Sequence, residues 1–253
     1  MYTIFRNSTF FLHKTNLYMC SQTQVFFYIC VRTQVMNTLN ILKHDLVSAH
    51  EDPKVINELL NQLKRNEISK TAWPNKNYIG SVDFSISYGE DAIAIKYYVV
   101  EETVKAVYNS PNDPVYKDSC VEFFIALDDK SYYNFEFNSN GTCLAQYGTN
   151  REDRIFLPAS LINNIKSYKS LRTVKTDVNQ LISWELTVVI PLSLFINHPY
   201  LSLSGNEYRM NFYKCGDDLP EPHYLCWNRV NTENPDFHQP NHFGIGRFVS
   251  EQQ

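Results

Sequence analysis

Two acidic residues, Glu122 and Glu136, stand inside separate apolar runs of this 253-residue chain. A pair of carboxylates flanking one bond is the minimal apparatus of glycoside hydrolysis, one giving a proton while the other attacks or activates water. The same pair can instead hold a polyhydroxylated ligand, since a carboxylate makes charge-assisted hydrogen bonds to hydroxyls. No GxSxG, HExxH, glycine-rich phosphate loop or EF-hand loop accompanies them. Haem ligation needs an axial His/Met or His/His pair. Met210, His223, His238 and His242 supply those types, without a CxxCH attachment motif. Asp217 and Asp218 beside Gly216 read as turn residues or as part of a calcium site, which needs six or more oxygens and has no motif here. The cysteines at 20, 30, 120, 143, 215 and 226 form no CxxC and no zinc-finger spacing with histidine. Cys120 and Cys226 sit in strand-like apolar runs, where a reduced thiol packs as a small hydrophobe. The expectation is reduced thiols, no metal ligand set and no cofactor.

Charge narrows the partners. Lys and Arg total 23 against 27 Asp and Glu, a net charge of −4, with no basic stripe. Such a chain has no long-range attraction for nucleic acid or an anionic membrane. Aromatic residues make up 14%, with 17 Tyr, 16 Phe and 3 Trp, crowded into the strand-like runs. Aromatics suit pleated, half-buried surfaces, and exposed rings can also stack on the apolar face of a sugar. Trp184 and Trp227 lie in apolar strands and read as core.

The elements that position these groups follow from periodicity. Residues 1–35 hold two short apolar patches, neither near the ~20 residues of a membrane span nor followed by a cleavage site. They read as a non-native or disordered extension, with the natural start at Met36. Without a signal peptide the cytoplasm is the expected location. Residues 36–72 read as a helical segment packed on the main domain. Within it Val55, Ile56, Leu59, Leu60 and Leu63 share a helical face, with Asp52 as N-cap and Pro53 at the first helical position; a lid closing one end of the domain is expected.

From residue 81 the pattern becomes short runs of β-branched and aromatic residues separated by turns: 81–88, 92–100, 121–127, 132–138, 142–147, 181–190, 208–214, 224–229 and 244–249. Gly89–Asp91 and Asp128–Lys130 fit hairpins, and Asn140-Gly141 is a strong turn signal. Prolines 220 and 222 exclude central-strand pairing between Gly216 and Tyr224. Strands so spaced, with no alternating helices, indicate one all-β domain over residues 73–253, an antiparallel β-sandwich or jelly roll. In 135–138, Phe135 and Phe137 point one way while Glu136 and Asn138 point the other.

Four segments in order carry a resemblance: Pro114–Ile125 (PVYKDSCVEFFI), Asn211–Asp217 (NFYKCGD), Pro222–Trp227 (PHYLCW) and Pro235–Gly244 (PDFHQPNHFG). Together they resemble the family 9 carbohydrate-binding modules over about residues 73–248. The resemblance implies a non-catalytic sugar-binding sandwich, accessory to polysaccharide or oligosaccharide catabolism and associated with carbohydrate-active enzymes. It implies an aromatic slot around a terminal sugar, with Tyr116 and Phe237 where better-known members carry tryptophans. Glu122 matches a glutamate that holds sugar hydroxyls, and Asn138 falls on a family asparagine. Glu136 replaces a sugar-contacting arginine, and a cysteine is inserted into the Asp-Ser-Val-Glu motif. His223 and His238, beside these motifs, are candidate donors. A glycoside hydrolase and a haem-binding sandwich are the alternatives.

Overall fold

The computed structural model describes residues 36–71, 73, 78–175 and 180–250; the expected extension, residues 1–35, lies outside them. In chain order the elements are β1 (Thr38–Leu42), α1 (Pro53–Asn61), β2 (Asn66–Glu67), β3 (Gly80–Tyr88), β4 (Ala92–Glu101), β5 (Cys120–Ala126), β6 (Tyr132–Asn138), β7 (Cys143–Gly148), β8 (Ile155–Phe156), α2 (Ala159–Ile162), β9 (Lys166–Lys175), β10 (Gln180–Pro191), β11 (Glu207–Cys215), β12 (Tyr224–Cys226) and β13 (Gly244–Val249). Two sheets result. The eight-stranded sheet runs β1-β13-β11-β5-β6-β7-β8, with β12 also paired to β11, and the five-stranded sheet runs β2-β3-β4-β10-β9. Among the named strands, all pairs are antiparallel except β1 on β13. This is the all-β sandwich the strand pattern predicts.

Residues 36–72 differ from the helical segment expected of them. They open with a strand, because Thr38–Leu42 alternates exposed and buried positions and delivers Leu39 and Ile41 to the core. The helix itself forms as predicted at its start: Asp52 accepts from the Lys54 amide at 2.9 Å, and Pro53 follows. It packs on β3, β4, β9 and β10, the outer face of the smaller sheet, and does not close an end of the sandwich. Ile56, Leu59 and Leu60 bury against Ala92, Ala94 and Val189. Val55 stays exposed. Asn57 is buried in its stead, accepting from the Thr187 hydroxyl at 3.0 Å.

Both faces of the larger sheet are covered. Its inner face meets the smaller sheet in an aromatic core, where Phe84 stacks on Phe212 with ring centres 3.7 Å apart and Phe123 stacks on Phe212 at 5.2 Å. Trp184 and Trp227 are core, as their strand context predicts. The outer face is roofed by loops that bring Trp73, Val115, Val230, Phe237 and Phe243 against Phe124, Tyr132 and Tyr213. The buried outer-face residues Asn134, Glu136 and Asn138 of β6 therefore lie beneath a roof.

A buried ion pair joins the sheets. Lys214 of β11 lies 3.0 Å from Glu101 of β4, both almost fully buried. The Lys214 ammonium also donates to the Cys215 carbonyl at 2.9 Å and lies 2.8 Å from His223 Nε2. Glu101 in turn accepts from the Trp184 indole at 2.6 Å. Removing one partner of such a pair strands the other in an apolar interior, at a cost of about 3–5 kcal/mol. Lys214→Met is expected to destabilise the fold by that amount in equilibrium urea unfolding, and Lys214→Met/Glu101→Gln to recover most of the loss.

Candidate functional site

The roof over the larger sheet leaves a cavity of about 340 Å³ above β5, β6, β7 and β11. Register determines its floor. Tyr213, Glu122, Glu136 and Leu144 form one row across β11, β5, β6 and β7, because Tyr213 pairs with Glu122, Glu122 with Glu136, and Glu136 with Leu144. Directly paired residues hold their Cβ atoms about 4.5–5.5 Å apart, so the two glutamates stand side by side. A second row carries Cys215, Cys120 and Asn138; a third carries Asn211, Phe124, Asn134 and Gln146.

Burial sets the electrostatics. The Glu136 carboxyl is pushed up to about 7 by burial, against the pull of the Arg154 guanidinium 3.9 Å away. Asn134 donates to Glu136 Oε1 at 3.1 Å, while Oε2 is buried with no protein partner. Burial raises Glu122 well above the usual carboxylate range, reinforced by Cys215 and Glu136. Cys215 Sγ donates to Glu122 Oε1 at 3.1 Å. Arg154 reaches the floor because Asp153 accepts from the Thr149 and Asn150 amides, closing a tight turn, and the guanidinium then donates to Gln146 at 2.6 Å. A guanidinium from the loop after β7 therefore stands beside Glu136, the position where the family resemblance implies an arginine.

Aromatic groups form the walls. Tyr116 sits half-buried on a 3-10 turn docked to β11, since its carbonyl accepts from the Asp217 amide at 3.0 Å. Phe237 lines the cavity from the roof but is largely buried, stacked on Tyr213 at 4.1 Å and tilted against Trp73 at 5.7 Å. His238 lies beside it, 3.0 Å from the Tyr132 hydroxyl through Nδ1. Burial pushes His238 down to about 2, so its imidazole is neutral. Tyr224 and the exposed Phe156 complete the aromatic rim.

Of the residues proposed from sequence, the fold brings Tyr116, Glu122, Glu136, Phe237 and His238 to one cavity. Two lie elsewhere. Asn138 ties loops together: its amide donates to the Tyr108 carbonyl at 2.8 Å and to Asp118 at 3.0 Å, and its oxygen accepts from the Asn140 and Thr142 amides. His223 lines a separate cavity of about 230 Å³ with Tyr78 and Glu101. Burial and the Lys214 charge push it down to about 3; its Nδ1 carries the proton toward the Glu221 carbonyl, and Nε2 faces Lys214. The sequence reading missed Gln146, Arg151, Arg154, Tyr224 and Asp236, and had Asp217 only as a turn residue or calcium ligand. Gln146 had a signal, as a polar position on the Leu144 side of β7; the arginines gave none beyond a charged loop.

Asp217 and Asp218, the turn or calcium candidates, both contact other side chains. Asp217 takes the Tyr224 hydroxyl, and Asp218 faces Lys105 and Lys117 at 3.7 and 4.0 Å. Met210 is fully buried in the inter-sheet core, with the sheet between it and His238, so the two do not frame a common haem.

Comparison with known proteins agrees with this fold. The model of carbohydrate-binding family 9 matches residues 52–248. A solved structure from Bacteroides uniformis ATCC 8492, provisionally described as a carbohydrate-binding protein, is 34% identical, covering 85% of this chain and all of its own, with a TM-score of 0.76. Two structures of a family 9 module from Caldicellulosiruptor kristjanssonii, in complex with glucose and with cellotriose, share the fold at 13% identity. Their TM-scores are 0.53 and 0.54; each covers 85% of this chain, and 97% and 95% of their own chains are covered. None of the curated proteins compared with it matches. The chain belongs to carbohydrate-binding family 9, and non-catalytic carbohydrate binding is the function that membership carries.

The floor carboxyls make stability depend on pH. Between 4.5 and about 7 the unfolded chain has released the proton that folded Glu136 still holds. The contribution of Glu136 to stability therefore falls as pH rises through that window, and Glu122 acts in the same direction, while the buried neutral His223 and His238 act in the opposite direction below 6.5. Glu136→Gln removes that falling contribution, so its stability is expected to gain on the parent's between pH 4.5 and 7, measured as the difference in urea unfolding free energy on either side of the window.

Proposed function

We propose that the roofed cavity is where this chain holds its carbohydrate, gripping one terminal sugar unit without turnover. The observation that carries the reading is the pairing of aromatic walls with a buried polar floor whose Glu136 Oε2 has no protein partner. A pyranose offers C–H groups on its faces for Tyr116 and Phe237, and hydroxyls at its rim for Glu122, Glu136 and Arg154. Apolar walls with a few placed polar groups are the usual composition of small-molecule sites. The volume of about 340 Å³ is at the small end of the ~300–1,000 Å³ such clefts span, which favours a chain end over a long internal segment. The Caldicellulosiruptor module's complexes with glucose and cellotriose support a sugar of this kind. An accessory role in polysaccharide or oligosaccharide catabolism, beside a carbohydrate-active enzyme, fits a binding module.

A glycan array followed by calorimetry on the best ligand tests the site. Tyr116→Ala removes a wall and Arg154→Ala a cation, and both leave the buried Phe237–Tyr213 stack intact. Each is expected to weaken binding about tenfold or more, as loss of ~1.4 kcal/mol implies. Undiminished binding in both variants would move the site elsewhere. Turnover in a broad glycoside panel, abolished by Glu122→Gln, would replace binding with hydrolysis.

A further inference from the structure

The inserted cysteine adds a second chemical character beneath the cavity floor. Cys120 and Glu122 are two apart on β5 and so face the same side of the sheet. Cys215 of β11 stands directly opposite Cys120 in the ladder. The two thiol sulfurs and one carboxylate oxygen all lie within 4.8 Å of one another, and the Cys215–Glu122 separation is already 3.1 Å. Zinc bound at ~2.3 Å from sulfur and ~2.0–2.2 Å from oxygen draws its ligand atoms to within about 4 Å of each other in a tetrahedron. Loading has to close the remaining gap, from within 4.8 Å to about 4 Å. The strands that carry all three are central in the sheet, so the donors are held by ladder pairing and not by a loop.

We propose that Cys120, Cys215 and Glu122 form a three-ligand site for a thiophilic divalent cation of the zinc class, with its fourth position open to the cavity. The donor set selects the metal: two thiolates and a carboxylate suit zinc or cadmium, whereas calcium and magnesium take oxygen shells. Cys215 and Glu122 line the cavity, which is why the fourth position faces it and is filled by water or by a hydroxyl group of a ligand. Loading releases two thiol protons to solvent, plus the carboxyl proton where Glu122 carries one. No electrons move. The cation neutralises two of the three negative charges on the fully ionised donor set. The site goes beyond sugar binding and stands whether or not the cavity takes a sugar.

Cadmium is the probe, added to the reduced full-length chain carrying C20S and C30S, which silences the thiols outside the described residues. Its thiolate charge-transfer band in the ultraviolet is expected to saturate at one equivalent, to disappear in C120S and in C215S, and to persist in C143S and C226S, whose thiols are buried outside the cluster. Zinc, and not calcium or magnesium, is expected to raise the Tm of the same chain with its described cysteines unmutated. Absence of a saturable band, a band that survives C120S and C215S, or a Tm indifferent to zinc would each overturn the site, and the Tm readout holds even if a cysteine variant fails to fold. Sugar binding is measured separately in C120S, whose side chain does not line the cavity, so a failure here leaves the carbohydrate reading standing.

Discussion

Lys214 is the interaction on which the rest of the structure depends. Its ammonium is wholly buried, paired with Glu101 across the sandwich and facing the Cys215 carbonyl and the His223 ring. A buried cation is tolerated only with such company, so β11 takes the register in its own sheet that turns Lys214 toward β4. That register has a consequence on the other side of the sheet. With Lys214 turned inward, its neighbours Tyr213 and Cys215 must turn outward, where one supports Phe237 and the other reaches Glu122. A one-residue slip would exchange the two faces and lose the cavity floor along with the ion pair.

The floor that results is polar but weakly charged. Glu122 and Glu136 stand side by side, and burial raises both carboxyls. A carboxyl that keeps its proton can donate as well as accept, which suits the mixed donors and acceptors of a hydroxylated ligand. Arg154 enters from the loop after β7 and bonds Gln146, giving that floor a cationic edge. The roof above is held by side chains that do not line the cavity: Asp118 accepts from the Val107 and Tyr108 amides, and Asn138 links Asp118 to the turn after β6. Asn138 therefore shapes the site from beneath it.

Much of the sandwich was legible in the chain itself. Apolar alternation marked most strands and the turns at Gly89–Asp91 and Asn140-Gly141, because the pleat repeats every two residues. Four strands carry no such mark. β2 and β8 are two residues each, and β1 is brief; β9, Lys166–Lys175, is largely polar and forms an edge, so burial left little imprint on its sequence. The helix was legible, its docking surface was not: the apolar stripe showed that a face is buried without saying against which sheet.

The site divides the same way. Tyr116, Glu122, Glu136, Phe237 and His238 could be named from motifs, since their neighbours in sequence carry the family pattern. Cys215 beside Cys120, and Arg154 beside Glu136, could not, because each pair is joined by strand register and loop closure across distant segments. Sequence alone determined the two-faced strands and the polar residues they present. Which of those residues share a cavity, and which are consumed in holding its roof, was decided by tertiary structure, because burial and hydrogen-bond partnership belong to the packed chain and not to any one segment.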